Sequence, residues 1–499
     1  MKQLLIGGNG STITDQDTGT LFGKTFSIPL VNGGMWDGPD CDQDSLQLIS
    51  TPGTISKLFV WLSAPANVGN CRVFTVKINK EGGQGEMIAT PLAVTIPDPD
   101  IKGFNLTDKL RVKRGNTILL EGKTNSGYAQ QAYVCWSAEF ESDNPNESLL
   151  LNSSWFGEVP GTYYMGLMDG SNNIRTNEDW VYTLIPTSGV LKNLCSYMMP
   201  FSGMSNKVTI NLRKNKIDTD LAITFTGAEA YKEDTLHEVR VAPFDIVSLK
   251  AVLGQGSQGQ SSATGLTFVP DIPDESLMVG GSYSPLNVVG AYYNQLVIGR
   301  YGVIWKSYSS ARRDGAHSGF TLSKLHVKTI TPPGVGNSYN FTPTRNAIDT
   351  ELKASILGAD TTGSDLTHTL KLEDFDLLTM KQVPSGAPLA TYVHWSMICK
   401  SNETEGVMIN INGNLKETIS ELPITGKVVS VAITKPDSTI ETLTATTDNL
   451  GNYTTQYNAL PGNYIARANT AEDAIYLAGV SPIVPFTVCK LPVTLTLNV

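Results

Sequence analysis

Charge is scarce in this 499-residue chain: only 17% of its residues are Asp, Glu, Lys or Arg. That is thin for long solvent-facing helices, and no segment keeps a convincing helical periodicity. Basic residues are outnumbered, 37 against 47 acidic ones, so the net charge of −10 offers no footprint for a nucleic-acid backbone. The acidic residues are scattered, as on a solvated surface. No stretch approaches the roughly 18 apolar residues of a membrane helix, which argues against membrane insertion. The opening "MKQLLIGGNG" has one Lys, a short apolar run and no small-residue cleavage site after it. Assembly in a cytoplasm is therefore expected.

Reactive side chains are equally sparse. The six cysteines, Cys41, Cys71, Cys135, Cys195, Cys399 and Cys489, form no C-x-x-C pair and no cluster with histidine. Zinc and thioredoxin-type chemistry fail on this spacing, and reduced thiols are expected. Cys135, Cys195 and Cys489 sit in apolar, strand-like runs that suit buried thiols. His237, His317, His326, His368 and His394 make no H-x-x-x-H or H-E-x-x-H pattern and flank no G-x-S-x-G elbow. The glycine-rich "GQGSQGQSSATG" (Gly254 to Gly265) lacks the Lys-Ser/Thr of a phosphate loop and reads as a hairpin loop. The acidic "MWDGPDCDQD" (Met35 to Asp44) has oxygen ligands of the kind calcium takes, without the spacing of a known calcium loop. It reads as an exposed turn. The sequons at Asn105, Asn340 and Asn452 are those expected by chance in a chain rich in Asn and Thr. No catalytic, cofactor-binding or metal-binding residue is nominated, and the chain is expected not to be an enzyme.

What the chain does have is Gly, Pro, Thr, Ser and Asn in strand-and-turn proportions, with 46 Gly and 26 Pro punctuating alternating segments. It also repeats itself. "NKIDTDL" (Asn215 to Leu221) returns as "NAIDTEL" (Asn346 to Leu352), 131 positions later. Leu194 and Leu325 precede these motifs by the same 21 residues, and "VAPFDIVSL" (from Val241) and "LEDFDLLTM" (from Leu372) each begin 26 residues after the motif's Asn. A weaker first copy has Leu58, then Asn79 in "VKINKEGG", then "VKRGNTILL" from Val112 after a seven-residue insertion. Trp136 in "AYVCWSAEF" matches Trp395 in "TYVHWSMIC".

The period suits a small domain with its own core rather than a solenoid unit. Period-two alternation predicts antiparallel β-sandwiches, jelly-roll-like, over residues 20–145, 150–275 and 280–405, after an amino-terminal segment 1–19. Val112, Val241 and Leu372 are expected to begin equivalent strands. The heptapeptide itself is expected to be a hairpin turn, with Ile217 and Leu221 starting an inward-facing pattern. A ligand-binding role for its acidic pair is the less favoured reading.

From about Glu417 the pattern changes. "TTDNLGNYTTQYNALPGNY" (Thr446 to Tyr464) resembles bacterial immunoglobulin-like and carboxypeptidase-regulatory-like domains, with their T-D-x-x-G-x-Y…L-P-G-x-Y signature. The closing "YLAGVSPIVPFTVCKLPVTLTLNV" resembles the last two strands of that family. The resemblance implies an immunoglobulin-like sandwich over 417–499 and says little about function.

The order of modules resembles bacteriophage tail-fibre, head-fibre and decoration proteins, and the repeated unit resembles the globular heads of collagen-like surface and phage fibre proteins. This resemblance implies a non-enzymatic structural or adhesive virion component, assembled in host cytoplasm. Its partners would be other virion proteins and a host-surface glycan. A carbohydrate-binding or carbohydrate-active β-modular surface protein is the alternative. Trp155, Tyr163, Tyr164, Tyr292 and Tyr293 are expected in loops, where they suit subunit interfaces better than sugar stacking. Short Pro-bearing joins, "ESDNPNES" (Glu141 to Ser148) and "VPDIPDES" (Val269 to Ser276), favour a linear, homotrimeric fibre over a single-chain knob.

Overall fold

Strands pair wherever the sequence alternates. In the computed structural model the chain is all-β, with eight antiparallel sheets and one 3₁₀ turn, Glu178–Trp180, among the described residues. Those residues are 1–8, 25–28, 36–37, 45–79, 87–124, 132–156, 160–168, 174–198, 207–227, 229–254, 260–282, 285–286, 288–297, 308, 313–402, 407–436, 438–459 and 462–488. Two units separate, Met1–Asn402 and Glu403–Val499.

The first unit holds three sandwiches. The first is built from β1 (Lys2–Gly8), β2 (Thr25–Ile28), β3 (Trp36–Asp37), β4 (Gln47–Leu48), β5 (Gly53–Leu62), β6 (Cys71–Asn79), β7 (Ile88–Pro97), β8 (Lys102–Val112), β9 (Thr117–Thr124) and β10 (Val134–Ser142). One sheet runs β1-β10-β5-β8, and the facing sheet runs β3-β2-β9-β6-β7 with β4 beside β9.

The second sandwich follows with β11 (Ser148–Phe156), β12 (Gly161–Met165), β13 (Thr183–Leu184), β14 (Gly189–Met198), β15 (Val208–Lys214), β16 (Ile217–Phe225), β17 (Tyr231–Val241), β18 (Ile246–Leu253) and β19 (Gln260–Pro270). Its sheets are β11-β19-β14-β17 and β12-β18-β15-β16, with β13 on β18. The third uses β20 (Glu275–Gly281), β21 (Tyr292–Gln295), β22 (Asp314–Ala316), β23 (Phe320–Thr329), β24 (Ser338–Arg345), β25 (Ile348–Asp349), β26 (Ala354–Leu357), β27 (Thr362–Lys371), β28 (Asp376–Ser385) and β29 (Val393–Ser401). Its sheets are β20-β29-β23-β27 and β21-β28-β24-β25, with β22 on β28 and β26 on β24. The strand order is thus the same three times over.

Three backbone devices recur in register. Lys57, Asn193 and Lys324 have φ of 54°, 55° and 51° and stand where β5, β14 and β23 slip register against their neighbours. Each is a β-bulge that turns the next residue, Leu58, Leu194 or Leu325, fully into a core. Gly115, Phe244 and Phe375 have φ of 84°, 69° and 64° in the tight turn before β9, β18 and β28. The third device is the heptapeptide. Asn215 and Lys216 (φ 51° and 65°) and Asn346 and Ala347 (φ 52° and 72°) form two-residue hairpin turns. Two left-handed residues in succession match the twist of the flanking strands, and Asn tolerates that conformation.

Some expectations need correction. Val112 and Val241 end β8 and β17, and Leu372 directly follows β27, so these equivalent residues close strands rather than begin them. They are the last inward residues before the tight turn. Leu221 and Leu352 are buried, but Ile217 and Ile348 are each 71% exposed, because the residue leaving the turn points outward. Residues 1–19 are not apart from the first sandwich: β1 lies within them and pairs with β10.

The three sandwiches do not string out in a line. The short strand β4 of the first packs on β11, β14 and β19 of the second, β13 of the second on β20, β23 and β29 of the third, and β22 of the third on β1, β5 and β10 of the first. One interface, used three times, closes a ring. Closure explains why "LLIGG" and "SLMVGG" do not alternate. Leu5 packs in the first sandwich's own core while Leu4 and Ile6 pack in the third's; Met278 lies in the third's while Leu277 and Val279 turn to the cluster shared by the first two. Both faces of these strands are covered, so both must be apolar. Gly280 answers to the same crowding, since a Cβ there would lie 2.3 Å from Trp395 Nε1 and 2.3 Å from the Leu296 carbonyl.

The second unit contains β30 (Val407–Asn414), β31 (Val428–Thr434), β32 (Ile440–Thr446), β33 (Asn452–Ala459), β34 (Gly462–Thr470), β35 (Gly479–Val480) and β36 (Val484–Val488). Its sheets are β30-β33 and β32-β31-β34-β35, with β36 on β34. Val429, Val431, Ile433, Tyr457 and Tyr464 form its core, with Tyr464 stacked on Phe486 at 5.2 Å. Asp448 of the T-D-x-x-G-x-Y motif accepts from the N–H groups of Leu450 and Asn452, which closes the turn between β32 and β33. The alternating run expected to be the terminal strand lies outside the described residues.

Candidate functional site

The repeated heptapeptide is held by the segment that sits 26 residues downstream of its Asn. The Asn215 amide donates to Asp245 Oδ1 at 2.7 Å, and its oxygen accepts from the Ile246 N–H at 3.0 Å. Asn346 does the same with Asp376, at 2.7 Å, and Leu377, at 2.9 Å. In the first sandwich Asn116 takes the place of these aspartates and accepts from the Lys113 N–H at 2.7 Å. The first acidic residue of each heptapeptide is neutralised: Asp218 pairs with Arg213 and Lys250, and Asp349 with Lys381 at 2.6 Å. The second, Asp220 or Glu351, is exposed.

A second polar feature repeats along the chain. Opposite the bulges, Asn105, Asp234 and Asp365 each cap an arch in β8, β17 and β27. Asp234 Oδ1 accepts from the Leu236 and His237 N–H groups, and Asp365 Oδ1 from those of Thr367 and His368. Their other oxygens accept from Ala222 N–H at 3.2 Å and Lys353 N–H at 2.9 Å, tying one sheet to the other. Asn105 makes that tie in reverse, donating to the Ala93 carbonyl at 2.9 Å. His237 and His368 bond to these carboxylates at 2.8 and 2.9 Å. Burial opposes the charge on both aspartates, but these hydrogen bonds outweigh it and hold both well below the ordinary carboxylate range. The signal was in the sequence: "DTLH" and "DLTH" keep the 131-residue register.

The other three histidines lie inside the ring. His317 stacks on Phe59 at 4.8 Å with its Nδ1 2.8 Å from Ser137 Oγ. His326 meets Phe244 edge-on at 4.5 Å, and His394 Nε2 lies 2.9 Å from the Asp179 carbonyl oxygen. Cys135, Cys195 and Cys399 are buried free thiols, and burial pushes Cys195 and Cys399 up to about 12, which leaves them inert at neutral pH. Cys41 and Cys489 lie outside the described residues.

The aromatic residues expected in loops stand on strands instead. Trp155 is in β11, Tyr163 and Tyr164 are in β12, and Tyr292 and Tyr293 are in β21. Arg213 lies over the Tyr164 ring at 5.7 Å, and Tyr293 meets Tyr308 edge-on at 6.2 Å. Each of these two contacts lies within one sandwich. Of the acidic run Met35 to Asp44, only Trp36 and Asp37 are described, as β3; in the Gly254 to Gly265 segment, read as a hairpin loop, Gln260 to Gly265 belong to strand β19 and 255–259 lie outside the described residues. No cluster of three metal-ligating side chains occurs among the described residues. No protein-family model matches the chain, and no curated protein matches its sequence.

Proposed function

We propose that this chain is a non-enzymatic structural or adhesive component of a bacteriophage virion, a tail fibre, head fibre or decoration protein. The ring of three like sandwiches in one chain carries this reading. Numbering the eight main strands of a sandwich in order, one sheet runs first-eighth-third-sixth and the other second-seventh-fourth-fifth. That order is the jelly roll, an architecture that recurs in viral capsid and lectin domains. The signature turn at Asp448 and the Tyr464–Phe486 stack support an immunoglobulin-like reading of the second unit.

In this reading the lateral contact that a homotrimer would repeat between chains is made within one chain, so the working head is a single-chain knob. Three copies free to diverge present three different outer surfaces to other virion proteins and to a host-surface glycan. Assembly takes place in host cytoplasm. Antibody raised against the purified chain, used in immunogold microscopy of particles released by lysis, tests the reading. Gold at a fixed position on intact particles is expected. Antigen confined to the particle-free supernatant overturns it.

A further inference from the structure

The three seams of the ring are built alike but filled differently. Two positions face the neighbouring sandwich at every seam, one just after the bulge and one on the last strand. They are Phe59 and Cys135 in the first sandwich, Cys195 and Ala263 in the second, and His326 and His394 in the third. Phe59 and Cys135 face His317 and the Arg313 carbonyl of the third sandwich. Cys195 faces the Ile49 carbonyl of the first, and Ala263 shares a cluster with Leu46. His326 and His394 face Phe244, Tyr182 and the Asp179 carbonyl of the second. Imidazoles thus occupy both positions at one seam and neither position at the other two.

We propose that the seam between the second and third sandwiches is an acid-sensitive opening point, the one place where the ring parts when the pH falls. His394 is 1% and His326 3% exposed. Each has one ring nitrogen spoken for, His394 by the Asp179 carbonyl and His326 by that of Pro186. The Nδ1 atom of each is buried with no hydrogen-bond partner. A second proton would therefore be placed on a nitrogen with nothing to accept it, inside an apolar seam. Tyr182 covers His394 at 3.9 Å between ring centroids, and a Cβ on Gly281 would lie 3.0 Å from its Nδ1.

The charged groups around this seam relieve the cost only in part: the Asp179 carboxylate favours a charged His394, but burial outweighs it. Lys328 opposes protonation of His394 and Lys324 that of His326. Lys324 is paired with Glu275 at 2.6 Å, Glu275 also accepts from Thr187 at 2.6 Å, and the Asp179 carboxylate is paired with Lys216 at 2.5 Å. Burial pushes His394 down to about 4 and lowers His326 as well. A histidine depressed in the closed form binds more protons in the open one. Closure is therefore fully favoured above the ordinary value near 6.5 and loses ground as pH falls toward about 4. The seam between the first and third sandwiches carries the opposite sign. Asp314 there bonds to Gln295, which itself reaches the Gly8 carbonyl of the first sandwich, and burial pushes Asp314 up to about 7. Its proton is favoured in the closed form, so that seam, which also holds the buried His317, gains from acid at Asp314 what the other seam lacks.

Amide hydrogen exchange on the full chain at pH 7.5 and pH 4.8, corrected for the intrinsic rate, reads each seam separately. Amides in and around β13, β23 and β29 are expected to lose protection by about tenfold or more relative to those around β4 and β22. Loss of protection that is equal at all three seams, or absent at β13, overturns the proposal. The double variant His326→Phe/His394→Cys copies the seam between the first and third sandwiches and is expected to abolish the selective loss. His394→Ala, which copies Ala263, serves where the double variant does not fold and is expected to reduce it. A variant that folds and keeps the full acid response also overturns the proposal.

Discussion

The second and third sandwiches share a gapless 131-residue register, yet they do not fill their interiors in the same way. What they share is backbone: a left-handed bulge residue, a two-residue hairpin turn, an aspartate arch and a positive-φ Phe. What differs is bulk. The third sandwich packs Trp395, fully buried, over Gly280, with its indole N–H donating to the Leu296 carbonyl at 2.7 Å. The corresponding residue of the second is Thr264, whose hydroxyl lies 3.0 Å from that of Ser196. Nearby, Asn152 donates to the Gly166 carbonyl at 2.9 Å. A residue with an uncommon φ has few substitutes, whereas a core position can be refilled so long as its neighbours change with it.

The largest contrast is expected at that core position. Trp395→Ala removes the largest side chain of its core and strands a buried carbonyl, and should cost about 3–5 kcal/mol. Thr264→Ala should cost only about 1 kcal/mol, the net worth of one neutral hydrogen bond. Urea unfolding followed by tryptophan fluorescence and circular dichroism measures both. Equal costs would show that the two cores are tied to the fold in the same way.

A shared device should instead give matching effects. Asn215→Ala and Asn346→Ala each lose two side-chain hydrogen bonds and place Ala in a left-handed turn. Each is expected to cost about 2 kcal/mol. Replacing either Asn by Gly keeps the conformation and should recover part of the loss. Unfolding midpoints of the four variants check this. A large cost in one repeat and none in the other would break the equivalence of the two turns.

These two kinds of feature also explain what was legible in the sequence. The strands, the repeat and the turn at Asn215 and Asn346 were readable because alternation and special backbone conformations impose residue types locally. The ring was not, and the linear fibre was favoured in its place. Closure is nevertheless written in the non-alternating "LLIGG" and "SLMVGG", which have no solvent face to mark with polar residues. The aromatic residues on β12 and β21 seemed to need a second chain because their partners, Arg213 and Tyr308, are distant in sequence or outside any motif. The pair His326 and His394 carried no motif either. Their meaning depends on which sandwich lies opposite, and no spacing within one repeat encodes that.

The smallest effect is also the sharpest test of the comparison, because the shared turn is predicted to respond to pH with opposite signs in the two repeats. Asp245 and Asp376 hold equivalent Asn side chains, and burial works against the charge on both. In the second sandwich Asn215, Lys214 at 3.0 Å and the Ala242 N–H outweigh burial, so Asp245 is held below the ordinary carboxylate value. In the third, Arg345 is farther away, 3.9 Å from Asp376, and burial wins, so Asp376 is raised. A depressed carboxylate contributes stability above its unfolded value near 4 and loses it as pH falls through that range. A raised one does the reverse, and stability grows as pH falls toward the unfolded value. Asp245→Asn should therefore destabilise the chain most at neutral pH and progressively less in acid. Asp376→Asn removes the buried charge but keeps an acceptor for only one of two donors, Asn346 Nδ2 and the Glu373 N–H. Relative to the parent it should be better tolerated at pH 7 than near pH 4. Urea midpoints of both variants and the parent between pH 4 and 8 decide the matter. Curves of the same sign would show that the 0.9 Å difference in the cation's approach does not control the charge on these aspartates.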